Sequence, residues 1–289
     1  MARYKKIIVI GYGMIVSQVL EYLCTLCEKS ECPICFIEHE TNGFSNLEKK
    51  CAEKGIEFHQ IHNKKELTSF FLSVEERTLI LSVSNNYLFP KAVLSKGNIQ
   101  VINFHNALLP AYPGRNAPSW VILNDEELTG ITWHFVTEDI DAGKIISQRT
   151  VKIGPDTKAF ELAYELMKVA YEAFVSFFPA LVAGTIVGQS QGIKGERRIF
   201  KSSEIPGDGH FLITDDPKYI YRLLRALDYG KMPIFPNAQT TIDCEKVEVT
   251  RYRLIDKKDN RLFPLGENCI KIPFSDEKEL MLKYQPVNE

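Results

Sequence analysis

The sequence predicts an α/β protein, a mostly parallel β-sheet covered by helices and followed by a small, mainly β C-terminal domain. Three observations carry that prediction. Short apolar runs alternate with longer stretches of helical periodicity from residue 5 to residue 183, the order expected of βα units. Runs such as Ile99-Gln100-Val101-Ile102 read as strands covered on both faces of a sheet. Beyond residue 215 a short helix gives way to alternating apolar and polar residues, the pattern of strands with one face in water.

Taken in order, strands are predicted near 5–10, 33–38, 78–83, 99–105 and 131–138, with helices near 14–28, 44–54 and 159–183. Lys5 to Gly13 is a strand entering a glycine turn, a Rossmann-like opening, and Glu38 ends the next apolar strand at a spacing that suits a ribose-binding acid. An NAD-dependent oxidoreductase is therefore one candidate, weakened because Val16 stands where the third glycine of G-x-G-x-x-G belongs. The helix after Asp156 carries Phe160, Ala163, Leu166, Met167, Ala170, Phe174 and Phe177 at helical spacing, predicted as core, and stops before Gly184. Residues 186–215 are rich in glycine and charge and read as a linker, with Lys194 to Arg198 as a solvated loop. Asp215-Asp216-Pro217 caps a short helix bearing Tyr221, Leu224 and Leu227, and strands follow at 246–249 and 269–272. The predicted domains are 1–185, a linker over 186–215, and 216–289.

Composition narrows the classes. A chain of 289 residues with 45% apolar content can build one large core and a smaller domain. A formal charge of −2 makes no broad basic footprint for nucleic acid apparent and leaves a local patch open. No apolar run is read as approaching membrane-spanning length, so no membrane partner is expected. Cys24-x-x-Cys27 and Cys32-x-x-Cys35 have the look of a four-thiolate zinc site. Cys24 and Cys27 fall in a predicted helix and Cys35 in a predicted strand, however, so buried or rim thiols and no metal are expected. An odd number of cysteines without a signal peptide predicts a reducing cytoplasm.

One strand is anomalous. Alternation puts Val101, Asn103 and His105 on one face, so an amide and an imidazole point the same way in a strand that should be apolar. Such groups need partners. A carboxylate or a backbone carbonyl would satisfy them structurally. They could equally form a site, because Leu108 to Gly114 leaves the strand end through a proline-rich loop, where α/β sheets place ligands. Asp141, before Gly143, reads either as an Asx-type turn or as a partner for that pair. His134 reads as a satisfied core or rim histidine, and Trp133 and Trp120 as packing.

Asn103-Phe104-His105, Leu108-Leu109-Pro110, Gly130 to Val136 and Ile140-Asp141-Ala142-Gly143 together resemble the 10-formyltetrahydrofolate-dependent formyltransferases. The resemblance is strong from about residue 80 to residue 185 and weaker at both ends. One departure is Asn106-Ala107, where many relatives carry a small residue and then serine. The resemblance implies a formyltransferase domain that takes 10-formyltetrahydrofolate as donor. It implies that Asn103, His105 and Asp141 are catalytic: Asn103 donates to a tetrahedral oxyanion, as would a protonated His105, and Asp141 sets the protonation of His105 and accepts or relays the amine proton. It also implies that Tyr87, Leu88, Phe89, Val136 and Ile140 frame the pteridine pocket, and that Gly11 and Met14 border the acceptor. An ordinary apolar loop stands beside that role for Tyr87 to Phe89, and a tight turn for Gly13. Arg115 and Asn116 could meet an acceptor phosphate or carboxylate, or be merely solvated.

The acceptor divides the family. Where methionyl-tRNA formyltransferases carry a basic insert after the second strand, this chain has Glu38 to Asn46, which lowers the tRNA alternative without removing it. Glycinamide ribonucleotide formyltransferases lack an appended domain like the C-terminal segment, which resembles a shortened form of the barrel-like domain of methionyl-tRNA formyltransferase. The expectation is a nucleotide-linked amino sugar as small-molecule acceptor, with a carrier-bound aminoacyl group as competitor and homodimerisation left open. A non-enzymatic folate-binding module would predict loss of one of the three polar residues, and all three are present.

Overall fold

The computed structural model describes residues 3–27, 32–39, 45–193, 195–232, 234–257 and 268–287. Part of the acidic segment after the second strand, Lys194 and the Cys27 side chain lie outside the described residues. Two compact units make up the chain: Met1–Gly114 with Gly130–Val151 and Glu165–Ile199, and Arg115–Thr129 with Lys152–Tyr164 and Phe200–Glu289.

The first unit is built on β1 (Lys6–Gly11), α1 (Met14–Cys27), β2 (Ile34–Glu38), α2 (Leu47–Glu53), β3 (Glu57–Gln60), α3 (Lys64–Ser73), β4 (Thr78–Val83), α4 (Lys91–Leu94) and β5 (Ile99–His105). These strands order as β3-β2-β1-β4-β5 and pair in parallel throughout. Every residue of β2 and β4 is buried, which explains why their sequences run apolar without alternation. Sequence patterning missed β3 and α3. The strand is only four residues long and half exposed, so it carries little apolar signal, while Asn63 caps the helix by accepting from the Lys65 and Glu66 amides.

After α5 (Ala117–Leu123) the sheet continues with β6 (Leu128–Phe135), which runs antiparallel to β5, and β7 (Ile145–Lys152). The predicted strand at 131–138 therefore starts earlier and ends at Phe135. α6 (Ala159–Ala183) is a 25-residue helix, long and apolar enough by composition to cross a membrane. This corrects the expectation that no apolar run reaches that length. Its apolar side is nonetheless core: Leu166, Ala170, Phe174 and Phe178 are buried, and Trp133 packs at a tilt on Phe104 and Phe174 and meets Phe177 edge-on while its Nε1–H donates to the Ala170 carbonyl at 3.0 Å. The buried stripe keeps Leu166, Ala170, Phe174 and Phe177 of the predicted one and adds Leu162, Ala173 and Leu181, while Phe160 is 43% exposed.

In the second unit α7 (Pro217–Leu227) begins as its sequence predicts, with Asp216 accepting from the Lys218 amide. Its buried face packs with β8 (Gln239–Ile242), β9 (Glu245–Asp256), β10 (Cys269–Pro273) and β11 (Lys278–Pro286), an antiparallel sheet of order β10-β11-β9-β8. Trp120 packs on Phe200 in this unit.

Candidate active site

Pairing register creates the polar cluster. Ser82 pairs with Asn103 and Asn103 with His134, so three polar side chains form one row across β4, β5 and β6. The Ser82 hydroxyl donates to Asn103 Oδ1 at 2.6 Å, and Asn85 donates to the same hydroxyl. With its carbonyl thus engaged, Asn103 turns Nδ2 toward the Phe104 carbonyl at 3.1 Å and toward His134 Nε2 at 3.2 Å. Donation from Asn103 to any bound oxygen would replace one of these contacts. Next on the same face, His105 pairs with Thr132.

Asp141 enters from the loop after β6. Its φ of +50° is left-handed, a conformation uncommon for L-residues and best tolerated by asparagine and aspartate. Gly143 lets the loop fold back on the strand, since a Cβ there would lie 1.7 Å from the Phe135 carbonyl oxygen. Asp141 Oδ2 accepts the Gly114 N–H at 2.7 Å and stands 3.5 Å from His105 Nδ1, while Oδ1 is 3.4 Å from His134 Nε2.

Electrostatics divide the roles. His105 is 5% exposed and its Nε2–H donates to the Tyr112 carbonyl at 2.8 Å, which leaves Nδ1 as the basic nitrogen facing Asp141. Burial holds the imidazole below the ordinary histidine range, opposed by the Asp141 carboxylate and assisted by His134 and Arg197. Burial alone would raise the Asp141 carboxyl, but His105, His134 and the Gly114 N–H outweigh it and hold it well below the usual carboxylate range. Both shifts favour a carboxylate beside a neutral imidazole over the protonated His105 expected as an oxyanion donor. Such a pair can take a proton at Nδ1 and stabilise the imidazolium that results.

The predicted catalytic three thus come together, Asn103 through His134. His134, read from sequence as a core histidine, is buried as expected yet contacts both Asn103 and Asp141. Its place in the row follows only from the β5–β6 register. Gln191 and Arg197 were also missed. Gln191 Nε2 donates to the Asp141 and Gly143 carbonyls at 2.9 and 2.7 Å, and Arg197 donates to the Ile140 and Asp141 carbonyls at 2.6 and 3.3 Å. Arg197 is therefore not the solvated residue its charge run suggested. Side chains reaching backbone carbonyls some fifty residues away leave no periodic signal in a sequence.

Of the other predicted residues, Tyr87, Phe89 and Val136 share one apolar cluster and the rest lie outside it. Tyr87 is buried among Phe71, Phe89 and His39, bonded to Thr68, whereas Leu88 is 72% exposed. Phe89 and Val136 are half-buried against the same cluster, and the Ile140 carbonyl belongs to Arg197. Gly11 lacks a side chain for a packing reason, because a Cβ would meet the Val83 carbonyl at 1.6 Å. Met14 opens α1 half-buried. Arg115 donates its amide to the Phe200 carbonyl, and Asn116, at φ +56°, caps α5 without a side-chain bond; both belong to the second unit.

Two alternatives lose support. The Val16 side chain lies against Gly11, and Glu38 is buried with its carboxylate accepting from Ser45, so the predicted dinucleotide turn and ribose acid are engaged within the protein. Among the described residues Cys35, Glu57 and His59 bring donor atoms within 4.8 Å of one another. Glu57 is already paired with His59 and Lys6, and burial pushes the Cys35 thiol up to about 12.

Residues 39–178 match a family model described as formyl transferase. The methionyl-tRNA formyltransferase of Solibacter usitatus is 30% identical over 128 residues, 44% of this chain and 41% of that protein, so the chain spans about two fifths of this relative. The N-formyltransferase of Helicobacter canadensis, solved with folinic acid and dTDP-3-aminofucose, superposes with a TM-score of 0.72 at 17% identity over 98% of this chain and all of that one. HypX of Aquifex aeolicus, solved with tetrahydrofolic acid, gives 0.64 at 18% identity over 98% of this chain and 46% of that one. The formyl transferase match spans the Asn103, His105 and Asp141 segment, and the fold is the one the Helicobacter canadensis N-formyltransferase also has.

Proposed function

We propose that the protein is an N-formyltransferase that moves a formyl group from 10-formyltetrahydrofolate to a primary amine, and that the amine belongs to a nucleotide-linked amino sugar. The observation that carries it is the buried His105–Asp141 pair, with the His105 tautomer fixed by Tyr112 and Asn103 on the adjoining row.

10-Formyltetrahydrofolate supplies an amide-like formyl carbon, and the acceptor supplies a nitrogen that must lose a proton as it forms the new C–N bond. His105 takes that proton at Nδ1, and Asp141 stabilises the imidazolium. Asn103 donates its amide to the oxygen that gains charge, exchanging its contact with His134; one such donor is typically worth roughly 100- to 1,000-fold in rate. The proton held by His105 is then available to the departing folate nitrogen. Leu88, Phe89 and Val136 would supply an apolar wall for the pteridine, and Leu88, apolar and exposed, fits a contact made only with ligand. Gly11, Met14, Arg115 and Asn116 remain acceptor candidates. The division into a catalytic part over 1–185, a linker over 186–215 and a C-terminal domain over 216–289 is proposed as a division of labour, as is a cytoplasmic setting, supported by the free cysteines among the described residues.

The sugar acceptor is supported by the Helicobacter canadensis neighbour, solved with dTDP-3-aminofucose, which superposes over 98% of this chain, while the methionyl-tRNA formyltransferase relatives, one of them aligned over 73% of the chain, keep tRNA as the second reading. Incubation with 10-formyltetrahydrofolate and a panel of thymidine- and uridine-diphospho amino sugars, beside charged initiator tRNA, tests both. A formyl mass gain on a sugar nucleotide is expected. A gain confined to methionyl-tRNA would transfer the activity to translation, and no gain on any amine would end the proposal.

A further inference from the structure

The segment from Thr185 to Ile199 lies against the Asp141 loop at several points. Gly188 approaches so closely that a Cβ would stand 2.7 Å from the Lys144 side chain and 2.9 Å from the Phe135 ring. Gln189 then exchanges both backbone hydrogen bonds with Ile145, N–H to carbonyl at 2.8 Å and carbonyl to N–H at 2.7 Å. Two residues on, Gln191 gives its amide nitrogen to the Asp141 and Gly143 carbonyls, and Arg197 spans the carbonyls of Ile140 and Asp141. The Asp141 carbonyl therefore receives two side-chain donors while its carboxylate receives the Gly114 N–H.

Gln191 is oriented without ambiguity. Turning its amide over would set Oε1 against two carbonyl oxygens, and in the observed orientation the buried Oε1 accepts nothing among the described residues. A buried acceptor left in that condition indicates that the position is kept for its donors. The left-handed Asp141 is the residue those donors surround.

We infer that Gln191 and Arg197 are positioning residues for the formyl-transfer reaction, fixing the backbone of Asp141 so that its carboxylate stays beside His105. The inference rests on the function proposed above for Asp141 and His105. It also makes a segment predicted as a linker part of the catalytic apparatus. A misplacement of about 1 Å in a catalytic group costs on the order of 100-fold, and these donors fall on the carbonyls of Ile140, Asp141 and Gly143, the backbone that carries the carboxylate.

Gln191→Met keeps the volume and removes both donors, while Gln191→Glu sets a carboxylate against two carbonyls. With 10-formyltetrahydrofolate and dTDP-3-aminofucose as probes, kcat should fall roughly 30- to 100-fold in Gln191→Met and further in Gln191→Glu, with acceptor KM within about threefold of wild type. Arg197→Lys, which keeps the charge but reaches one carbonyl, should recover part of the turnover lost in Arg197→Met. The second measurement needs no activity. Asp141, His134 and Arg197 are the charged or titratable groups acting on His105, so loss of the Asp141 position in Gln191→Met should move the His105 NMR titration midpoint down. A wild type inert toward every amine, combined with a shifted His105 midpoint in the variant, would remove the proposed function and keep the clamp. Unchanged kcat and an unchanged His105 titration in Gln191→Met would overturn the inference.

Discussion

Oδ2 of Asp141 accepts the Gly114 N–H at 2.7 Å and stands 3.5 Å from Nδ1 of His105. One oxygen therefore serves the end of the Leu-Leu-Pro loop and the imidazole together. Asp141→Asn keeps the shape but removes the charge that stabilises an imidazolium, and only the amide orientation that sets its oxygen on Gly114 keeps that hydrogen bond. Turnover should drop by roughly 100- to 10,000-fold with near-wild-type secondary structure. Steady-state kinetics and circular dichroism of the variant decide the matter, and an active Asp141→Asn protein would exclude a charged role.

The two ionisations give the pH dependence a sign. His105 is held below its unfolded value by burial, so the stability it contributes is present above about 6.5 and lost as pH falls through that value toward the depressed one. Asp141 is also depressed, and its contribution is present above about 4 and lost below it. Thermal melts should show stability declining from pH 7 to pH 5, and His105→Asn should flatten that slope. For the same reason the acid limb of kcat/KM should fall below the ordinary histidine range. A limb at or above it would mean that His105 is not the base.

Gly143→Ala would force a Cβ against the Phe135 carbonyl at 1.7 Å, and that oxygen is backbone, unable to rotate away. The loop must shift. The variant should lose most of its turnover and roughly 1–3 kcal/mol of stability, read by kinetics and chemical denaturation together.

Leu88 is 72% exposed and contributes little to the core. Leu88→Ser should leave the melting temperature unchanged and raise the KM for 10-formyltetrahydrofolate by about three- to tenfold, the scale of partial loss of one apolar contact. An unchanged donor KM would remove Leu88 from the pteridine pocket.

Trp133→Phe supplies the contrasting case, a core change beside the row of polar residues. It removes the 3.0 Å bond that Nε1–H gives the Ala170 carbonyl and part of a fully buried ring, at a cost of about 1–3 kcal/mol. Denaturation midpoints should fall while kcat stays within about threefold, which separates core damage from damage to the site.

The parallel sheet was legible because β1, β4 and β5 are buried strands with continuous apolar runs, and α7 because Asp216 and Pro217 mark its start. Asn103 and His105 stood out as polar residues on a strand that should have been apolar. The half-exposed β3 was not legible, since none of its residues is buried, and on α6 the predicted core holds at Leu166, Ala170, Phe174 and Phe177 but not at the exposed Phe160. By itself, then, the sequence determined the α/β class, the order of the main strands and the identity of three polar residues, because side-chain alternation and apolar burial are local consequences of residue type. Only the tertiary structure decided that His134 joins the row, through the β5–β6 register, and that Gln191 and Arg197 hold Asp141, through donors brought about fifty residues back along the chain to backbone carbonyls. Those contacts depend on how distant segments pack, and a backbone carbonyl, being the same at every position, leaves no mark on the sequence that recruits it.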